Sequence, residues 1–276
     1  MTHSKLAIAI ATDAAYAEQV VTLIKSICYH HRNVHFYILN KNFPFRLGKI
    51  LHDHLAELDC QITNIQIQTD FTGSMPSHIS EAGFYRYIIP EINEERVLYL
   101  DADIIVDGSL YELFATEFGD KLAVAMPDIV LNHANIEHGY IEFPNLKPYF
   151  NSGVLLINNI KWREQNILEQ AKQMAQNFKG LIYADQDVLN ILLQEQVIMG
   201  DVRYNFQTGA RFGLYERQMH KDADEFEQSC PNPTIIHYTG KNKAWLNHAP
   251  ILHAERWWFY YQLTWQDVKD RWKKAE

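Results

Sequence analysis

Short apolar runs alternate with helically patterned segments through the first half of the chain, and that alternation leaves few folds open. Residues 6–11 read as a buried strand; Val20, Ile24, Ile27 and Cys28 then recur at helical spacing through about His31. Residues 34–39 give a second strand, 62–67 alternate like a third, 81–89 predict a helix ending at Pro90, and 97–100 form a fourth strand. Runs this free of polar residues suit strands covered on both faces, so the fold class is α/β with a mostly parallel central sheet. Further strands are expected at 122–126, 153–157, 197–202 and 234–237, with helices over 161–178 and 185–194. No linker, repeat or low-complexity segment interrupts them, so residues 1–250 read as one domain followed by a C-terminal helix over 251–276.

The fourth strand runs into Asp101-Ala102-Asp103. Residues i and i+2 of an extended chain point the same way, so the two carboxylates can share one ion, and the small Ala102 leaves room for a ligand. Mg²⁺ or Mn²⁺ held by one or two carboxylates plus substrate phosphates is the commonest such arrangement. Taken alone, the triplet is equally well an ordinary solvated pair. Its meaning depends on whether other residues need the same ion.

Composition narrows the partners. A chain that is 47% hydrophobic folds around a core, and a net charge of -9 argues against a nucleic-acid surface spread over the whole protein. An anionic substrate therefore needs a metal or a local basic cluster. Cys28, Cys60 and Cys230 form neither a disulfide framework nor a paired zinc motif, which fits a reducing compartment. Asp13 interrupts the first apolar run, making it too short for a secretory signal, and no run reaches the roughly 18 apolar residues of a membrane span.

In open α/β sheets, ligands sit beyond the carboxyl ends of the strands. Here those positions are polar: Thr12, Asp13 and Tyr16 after the first strand, Asp101 and Asp103 after the fourth, Asp128 after Met126, Asn151 before Gly153, and His237 at the last strand. A lone histidine in an apolar strand is more often a core residue. His237, however, is followed by Gly240, whose backbone can approach a phosphate, and Lys243, which can neutralise one.

The ordered set Thr12-Asp13-Ala14-Ala15-Tyr16, Tyr99-Leu100-Asp101-Ala102-Asp103, Phe150-Asn151-Ser152-Gly153, Asp185-Gln186-Asp187-Val188-Leu189-Asn190 and His237-Tyr238-Thr239-Gly240-Lys241-Asn242-Lys243 resembles glycosyltransferase family 8. Within that family it is most similar to the bacterial lipooligosaccharide and lipopolysaccharide galactosyl- and glucosyltransferases. The resemblance implies a GT-A, Rossmann-like fold and a divalent cation, Mn²⁺ or Mg²⁺. It also implies a UDP-hexose donor, a lipid-linked saccharide acceptor, retention at the anomeric carbon, and work in the cytoplasm or at the inner face of the cytoplasmic membrane. By motif match, Asp101, Asp103 and His237 would ligate the metal, while Ala102, Gly240 and Lys243 would line the diphosphate. Thr12, Asp13 and Tyr16 would hold the uridine, although Ala15 stands where family members often carry an asparagine. Arg86 would lie near diphosphate and sugar, with Asp128, Asn151, Asp185 and Gln186 around the hexose.

Retention through two displacements calls for a carboxylate nucleophile, whereas the matching position here, Gln186, is an amide. A front-face substitution, with the departing phosphate taking the acceptor proton, is therefore favoured; Asp185 or Asp187 as nucleophile is the runner-up. Residues 132–147 are expected to form an acceptor-covering loop. In the tail, Trp258, Tyr261, Trp265, Val268 and Trp272 fall on one helical stripe, which suits docking on the core, a membrane interface or a subunit contact. Two other functions compete. One is a sugar-nucleotide or glycan binder without catalysis. The other is a metal-dependent phosphatase using Gly200-Asp201; that class places its aspartate pair after the first strand, with Thr or Val where this chain has Ile105.

Overall fold

The fold follows from the apolar runs, which stack side by side as buried strands. The computed structural model describes residues 5–68, 81–133, 146–177, 181–246 and 250–273. In chain order the first half contains β1 (Leu6–Ala11), α1 (Ala17–His30), β2 (Val34–Asn40), α2 (Phe45–Ala56), β3 (Gln61–Gln66), a 3-10 helix (Glu81–Glu91) and β4 (Arg96–Asp101). There follow β5 (Ile104–Val106), α3 (Tyr111–Phe114), β6 (Ala123–Pro127), α4 (Ile129–His133), β7 (Phe150–Asn158), α5 (Asn159–Glu164), α6 (Ile167–Asn177), α7 (Asp185–Leu192) and β8 (Val197–Met199). The chain continues through β9 (Phe206–Gln207), α8 (Ala210–Glu216), α9 (His220–Ser229), β10 (Ile235–His237), α10 (Ala254–Gln262) and α11 (Trp265–Lys273).

The main sheet has the order β3-β2-β1-β4-β7-β6-β8. Neighbours pair in parallel except at β7, which runs antiparallel to both β4 and β6. Alternate residues of β1 serve opposite cores: Ile8 and Ile10 pack with Leu23 and Ile27 of α1, and Ala7 and Ala9 pack with Tyr87 and Ile88 of the 3-10 helix. Burial on both faces accounts for the uninterrupted apolar runs.

A second sheet, β5-β10-β9, fixes the geometry that matters for function. After Asp101 the chain leaves the main sheet through a turn at Ala102 and Asp103, then pairs β5 antiparallel with β10, placing Ile104 opposite His237. Tyr238 N donates to Asp103 O at 2.9 Å, which locks that turn against the end of β10. Residues far apart in sequence thus meet by strand register.

Several expected elements are reshaped. The segment before Pro90 is a 3-10 helix and runs one residue past the proline. The helix expected over 161–178 is split into α5 and α6 at Asn166, which takes a left-handed φ of 53°. The strand expected over 197–202 ends at Met199, because Asp201 accepts from Arg203 N and caps a 3-10 turn. The predicted C-terminal helix is two helices. Lys25 of α1 donates Nζ to Tyr261 O (3.1 Å) and Leu263 O (2.6 Å), satisfying carbonyls freed at the break, and Thr264 and Asp267 cap α11 reciprocally.

That break shifts the phase of the stripe. In α10 the buried residues are Trp257 and Tyr260 rather than Trp258 and Tyr261, whereas Val268 in α11 is buried as expected. Arg256 Nε donates to Asp107 at 2.7 Å and Trp272 Nε1 to Cys28 O at 2.9 Å, so both helices dock on the body of the protein. Among the described residues, no helix is long and apolar enough to cross a membrane.

Candidate active site

Asp101, Asp103 and His237 converge where the two sheets diverge, with ligand atoms of all three within 4.8 Å of one another. His237 Nε2 lies 3.1 Å from Asp103 Oδ1 and 3.8 Å from Asp101 Oδ2. Two carboxylates and one imidazole suit a divalent cation, and the nitrogen donor suits Mn²⁺ better than Mg²⁺. The backbone leaves no alternative at Gly153: a Cβ there would sit 2.2 Å from His237 Cε1 and 2.7 Å from Asp101 Oδ2. Only glycine lets β7 pass beneath this cluster.

Two cations flank the three ligands. Lys243 Nζ reaches Asp103 Oδ2 at 2.5 Å and Tyr238 O at 2.7 Å. Burial alone would raise the Asp103 carboxyl, but Lys243 and His237 outweigh it and hold Asp103 well below the usual carboxylate range. Arg86, almost fully buried, donates to Asp101 Oδ1 at 2.9 Å, to Gly83 O at 2.8 Å and to Ser152 O, and its Nε lies 3.2 Å from Asp185 Oδ2. Its guanidinium stacks over the Tyr99 ring at 4.5 Å, and Tyr99 OH donates to Asp101 Oδ1 at 2.6 Å. Asp185 is raised above its ordinary value: burial dominates, and Asp101 adds to it against the opposing pull of Arg86.

On one side of the ligands a cleft of ≈ 250 Å³ is lined by Thr12, Asp13, Tyr16, Arg86, Ala102 and Gly83, among others. Asp13 caps the turn after β1, accepting from Ala15 N (2.9 Å) and Tyr16 N (3.2 Å), and the Tyr16 ring meets Trp245 edge-on with centroids 6.0 Å apart. On the other side a cleft of ≈ 240 Å³ is lined by Asp128, Asn151, Tyr183, Gln207, Arg217 and Gly240, among others. Gly240 takes φ 76°, a left-handed conformation that lets the chain turn after β10.

Along this second cleft, side-chain amides form a continuous chain. Gln186 Nε2 lies 3.3 Å from Asp128 Oδ2, Gln186 Oε1 accepts from Asn151 Nδ2 (3.1 Å) and Ser152 N (3.0 Å), and Asn151 Oδ1 accepts from Asn205 Nδ2 (2.9 Å). Apart from Asp187, the residues to which the family resemblance gives a metal, nucleotide or sugar role lie in or beside one of the two clefts, the ligand cluster or this chain. Asp187 does not join them. Its carboxylate accepts from Tyr149 OH (2.5 Å), Ile182 N (2.8 Å) and Tyr183 N (2.7 Å), which gives it a structural place. The acceptor-covering loop expected at 132–147 falls mostly on residues 134–145, outside the described residues. Tyr99 and Ser152, which the matched motifs contain without a role, and Gln207 and Asn205, which lie outside those motifs, also belong to the site. Tyr99 sits two residues before Asp101 on the same strand face, a signal that period-2 patterning carries; Asn205 has no such mark.

A sequence profile for glycosyl transferase family 8 matches residues 7–249. The chain belongs to that family. It is similar to glycosyltransferase GlyA of Streptococcus pneumoniae serotype 4, at 32% identity over 96% of this chain and 36% of GlyA. It is also similar to GlyE of the same organism, at 31% identity over 99% of this chain and 64% of GlyE. Lipopolysaccharide glucosyltransferase WaaO of Escherichia coli K12 is 34% identical over 66% of this chain and 55% of WaaO. This chain thus spans between about a third and two thirds of the length of these relatives. The crystal structure of GlyE superposes with a TM-score of 0.82 at 28% identity, covering 98% of this chain and 64% of GlyE. An active-site mutant of LgtC superposes with a TM-score of 0.77 at 25% identity, covering 95% of this chain and all of LgtC. The α/β architecture is accordingly the GT-A glycosyltransferase fold.

Proposed function

We propose that this chain transfers galactose or glucose from a UDP-sugar to a saccharide acceptor, with a divalent cation and with retention of anomeric configuration. The observation that carries this reading is the convergence of Asp101, Asp103 and His237, flanked by Lys243 and Arg86, at the junction of two clefts. Cleaving a glycosyl phosphate bond develops negative charge on the departing diphosphate. A cation held by the three ligands would neutralise that charge, which is greater in the transition state than in the bound donor. Lys243 and Arg86 add positive charge on either side of the same point.

The cleft with Thr12, Asp13 and Tyr16 takes the nucleoside: Tyr16 offers a ring face to the base, and Asp13 a carboxylate to the uracil N3–H. Ala102, Gly240 and Lys243 line the diphosphate. Asp128, Asn151, Asp185 and Gln186 address the hexose hydroxyls, the carboxylates accepting and the amides both accepting and donating. Residues 1–250 are the catalytic unit, and α10 and α11 brace α1 behind it.

The amide chain favours front-face substitution. Gln186 Oε1 already accepts from Asn151 and Ser152, which ties down the lone pairs a nucleophile needs, and Asp185 is paired with Arg86. The same conclusion follows for Asp187 from its three donors. A covalent glycosyl adduct on any of these three, found by mass spectrometry after reaction with a fluorinated donor, would contradict it.

The acceptor is proposed to be a lipid-linked saccharide of the lipopolysaccharide type, by analogy with WaaO, which is named a lipopolysaccharide glucosyltransferase. On that reading the enzyme works at the inner face of the cytoplasmic membrane. Liposome flotation with and without residues 251–276 decides whether α10 and α11 contribute, and equal partitioning excludes them. The activity itself is tested by UDP release from UDP-galactose and UDP-glucose, with Mn²⁺ and with a chelator. Release that is slow without acceptor, faster with it and abolished by chelation is expected; metal-independent release overturns the reading.

A further inference from the structure

Asn205 has no part in the assignments above, yet it is completely buried (0% exposed) and touches His237 directly. Two backbone donors fix the direction of every amide around it, without reference to how side-chain nitrogen and oxygen are told apart. Gly153 N donates to Asn151 at 3.0 Å, so that atom of Asn151 is its oxygen. Ser152 N donates to Gln186 at 3.0 Å, so that atom of Gln186 is its oxygen. The Asn205 atom facing the Asn151 oxygen at 2.9 Å must then be a donor, its NH₂.

The other end of the Asn205 amide is therefore the carbonyl oxygen, and it lies 2.9 Å from His237 Nδ1. A carbonyl oxygen only accepts, so Nδ1 carries the hydrogen and Nε2 is left as the atom that faces Asp101 and Asp103. We infer that Asn205 is the positioning residue that holds His237 in the tautomer and ring orientation needed to ligate the cation, and that it joins this ligand through Asn151 to Gln186. This rests on the metal reading given above. The joined chain makes one rigid unit of the cation site and the hexose site, so displacement at one end is felt at the other.

The test is Mn²⁺ titration calorimetry on the full chain, with fold checked by thermal melting. Asn205→Leu keeps the volume but cannot accept from Nδ1–H, and Mn²⁺ affinity is expected to fall by about 10- to 100-fold, the usual effect of losing the partner of a ligating histidine. Asn205→Asp restores the acceptor but turns an oxygen toward Asn151. It is expected to bind Mn²⁺ within about threefold of the natural protein while transferring sugar more slowly. Leucine and natural proteins binding alike, or aspartate binding as weakly as leucine, overturns the inference. A second readout needs no altered Asn205: in the Mg²⁺-loaded protein with the ring neutral, ¹⁵N NMR of His237, assigned by its loss in His237→Gln, is expected to place the hydrogen on Nδ1. A hydrogen on Nε2 overturns it. Natural protein that binds no Mn²⁺, indistinguishable from Asp103→Asn, sinks the metal reading itself; binding lost in Asp103→Asn but kept in Asn205→Leu sinks only the role of Asn205.

Discussion

The chain contains two Asp-x-Asp triplets in its motifs, Asp101-Ala102-Asp103 and Asp185-Gln186-Asp187, and they end in opposite arrangements. The first lies where β4 leaves the sheet, and its two carboxylates meet at His237. The second opens α7, where residues two apart point roughly 200° away from each other. Asp185 accordingly meets Arg86, while Asp187 faces Tyr149 and the backbone of Ile182 and Tyr183. Spacing alone therefore says little about a carboxylate pair. The backbone that carries it decides whether the pair converges.

The sharpest way to break this comparison is to remove one charge from each triplet. Asp103→Asn is expected to lower kcat/KM for transfer by about 10³-fold, roughly 4 kcal/mol of transition-state stabilisation, through loss of a cation ligand. Asp187→Asn is expected to keep metal-dependent transfer. If initial-rate measurements show equal losses, the two triplets share a role and the contrast fails.

Next in size is stability. Asp187→Ala leaves one buried and two half-buried donors without that acceptor and is expected to lower unfolding free energy by about 3 kcal/mol, read from urea midpoints. Asp103→Ala takes one partner from Lys243 but leaves it Tyr238 O at 2.7 Å, and is expected to lose less. The reverse order would show the structural and functional assignments exchanged.

The smallest expected effect is on pH dependence. Burial, opposed by Arg86 and reinforced by Asp101, raises Asp185 above its ordinary 3.8. Between 3.8 and that raised value the folded state holds more protons than the unfolded one, so this group's contribution to stability falls as pH rises through the interval. Its slope is at most about 1.4 kcal/mol per pH unit. Asp103 is held low, mainly by Lys243 and His237 against burial, so its contribution is present above its unfolded value and is lost as pH falls. Asp185→Asn should remove the first trend and leave the second; urea melts from acid to neutral pH that show no change in slope would count against the burial of Asp185.

Much of this was legible in the sequence because strand ends are local. Thr12, Asp101 and Asp128 each follow or end an apolar run whose strand points the same way in the main sheet, which brings such termini to one edge. What pairs across the gap was not. The meeting of Asp103 with His237 depends on β5 switching sheets, and residues 104–106 read as no more than a continuation of apolar sequence. Asn205 lies in a turn before the two-residue strand β9, with no periodicity to mark it, although its contacts fix the orientation of His237. The tail misled through phase: one residue of slip at Leu263 moved the buried face of α10 from Trp258 to Trp257. Lys25, whose Nζ compensates that break, is more than two hundred positions away in sequence.

The most direct measurement is a crystal of the protein grown with Mn²⁺ and UDP, with diffraction collected at the manganese absorption edge. The account predicts one anomalous peak within bonding distance of Asp101, Asp103 and His237, with the diphosphate on the side of Lys243 and the uracil in the cleft of Thr12, Asp13 and Tyr16. UDP bound there with no manganese peak, or a peak at any other carboxylate cluster, would contradict it.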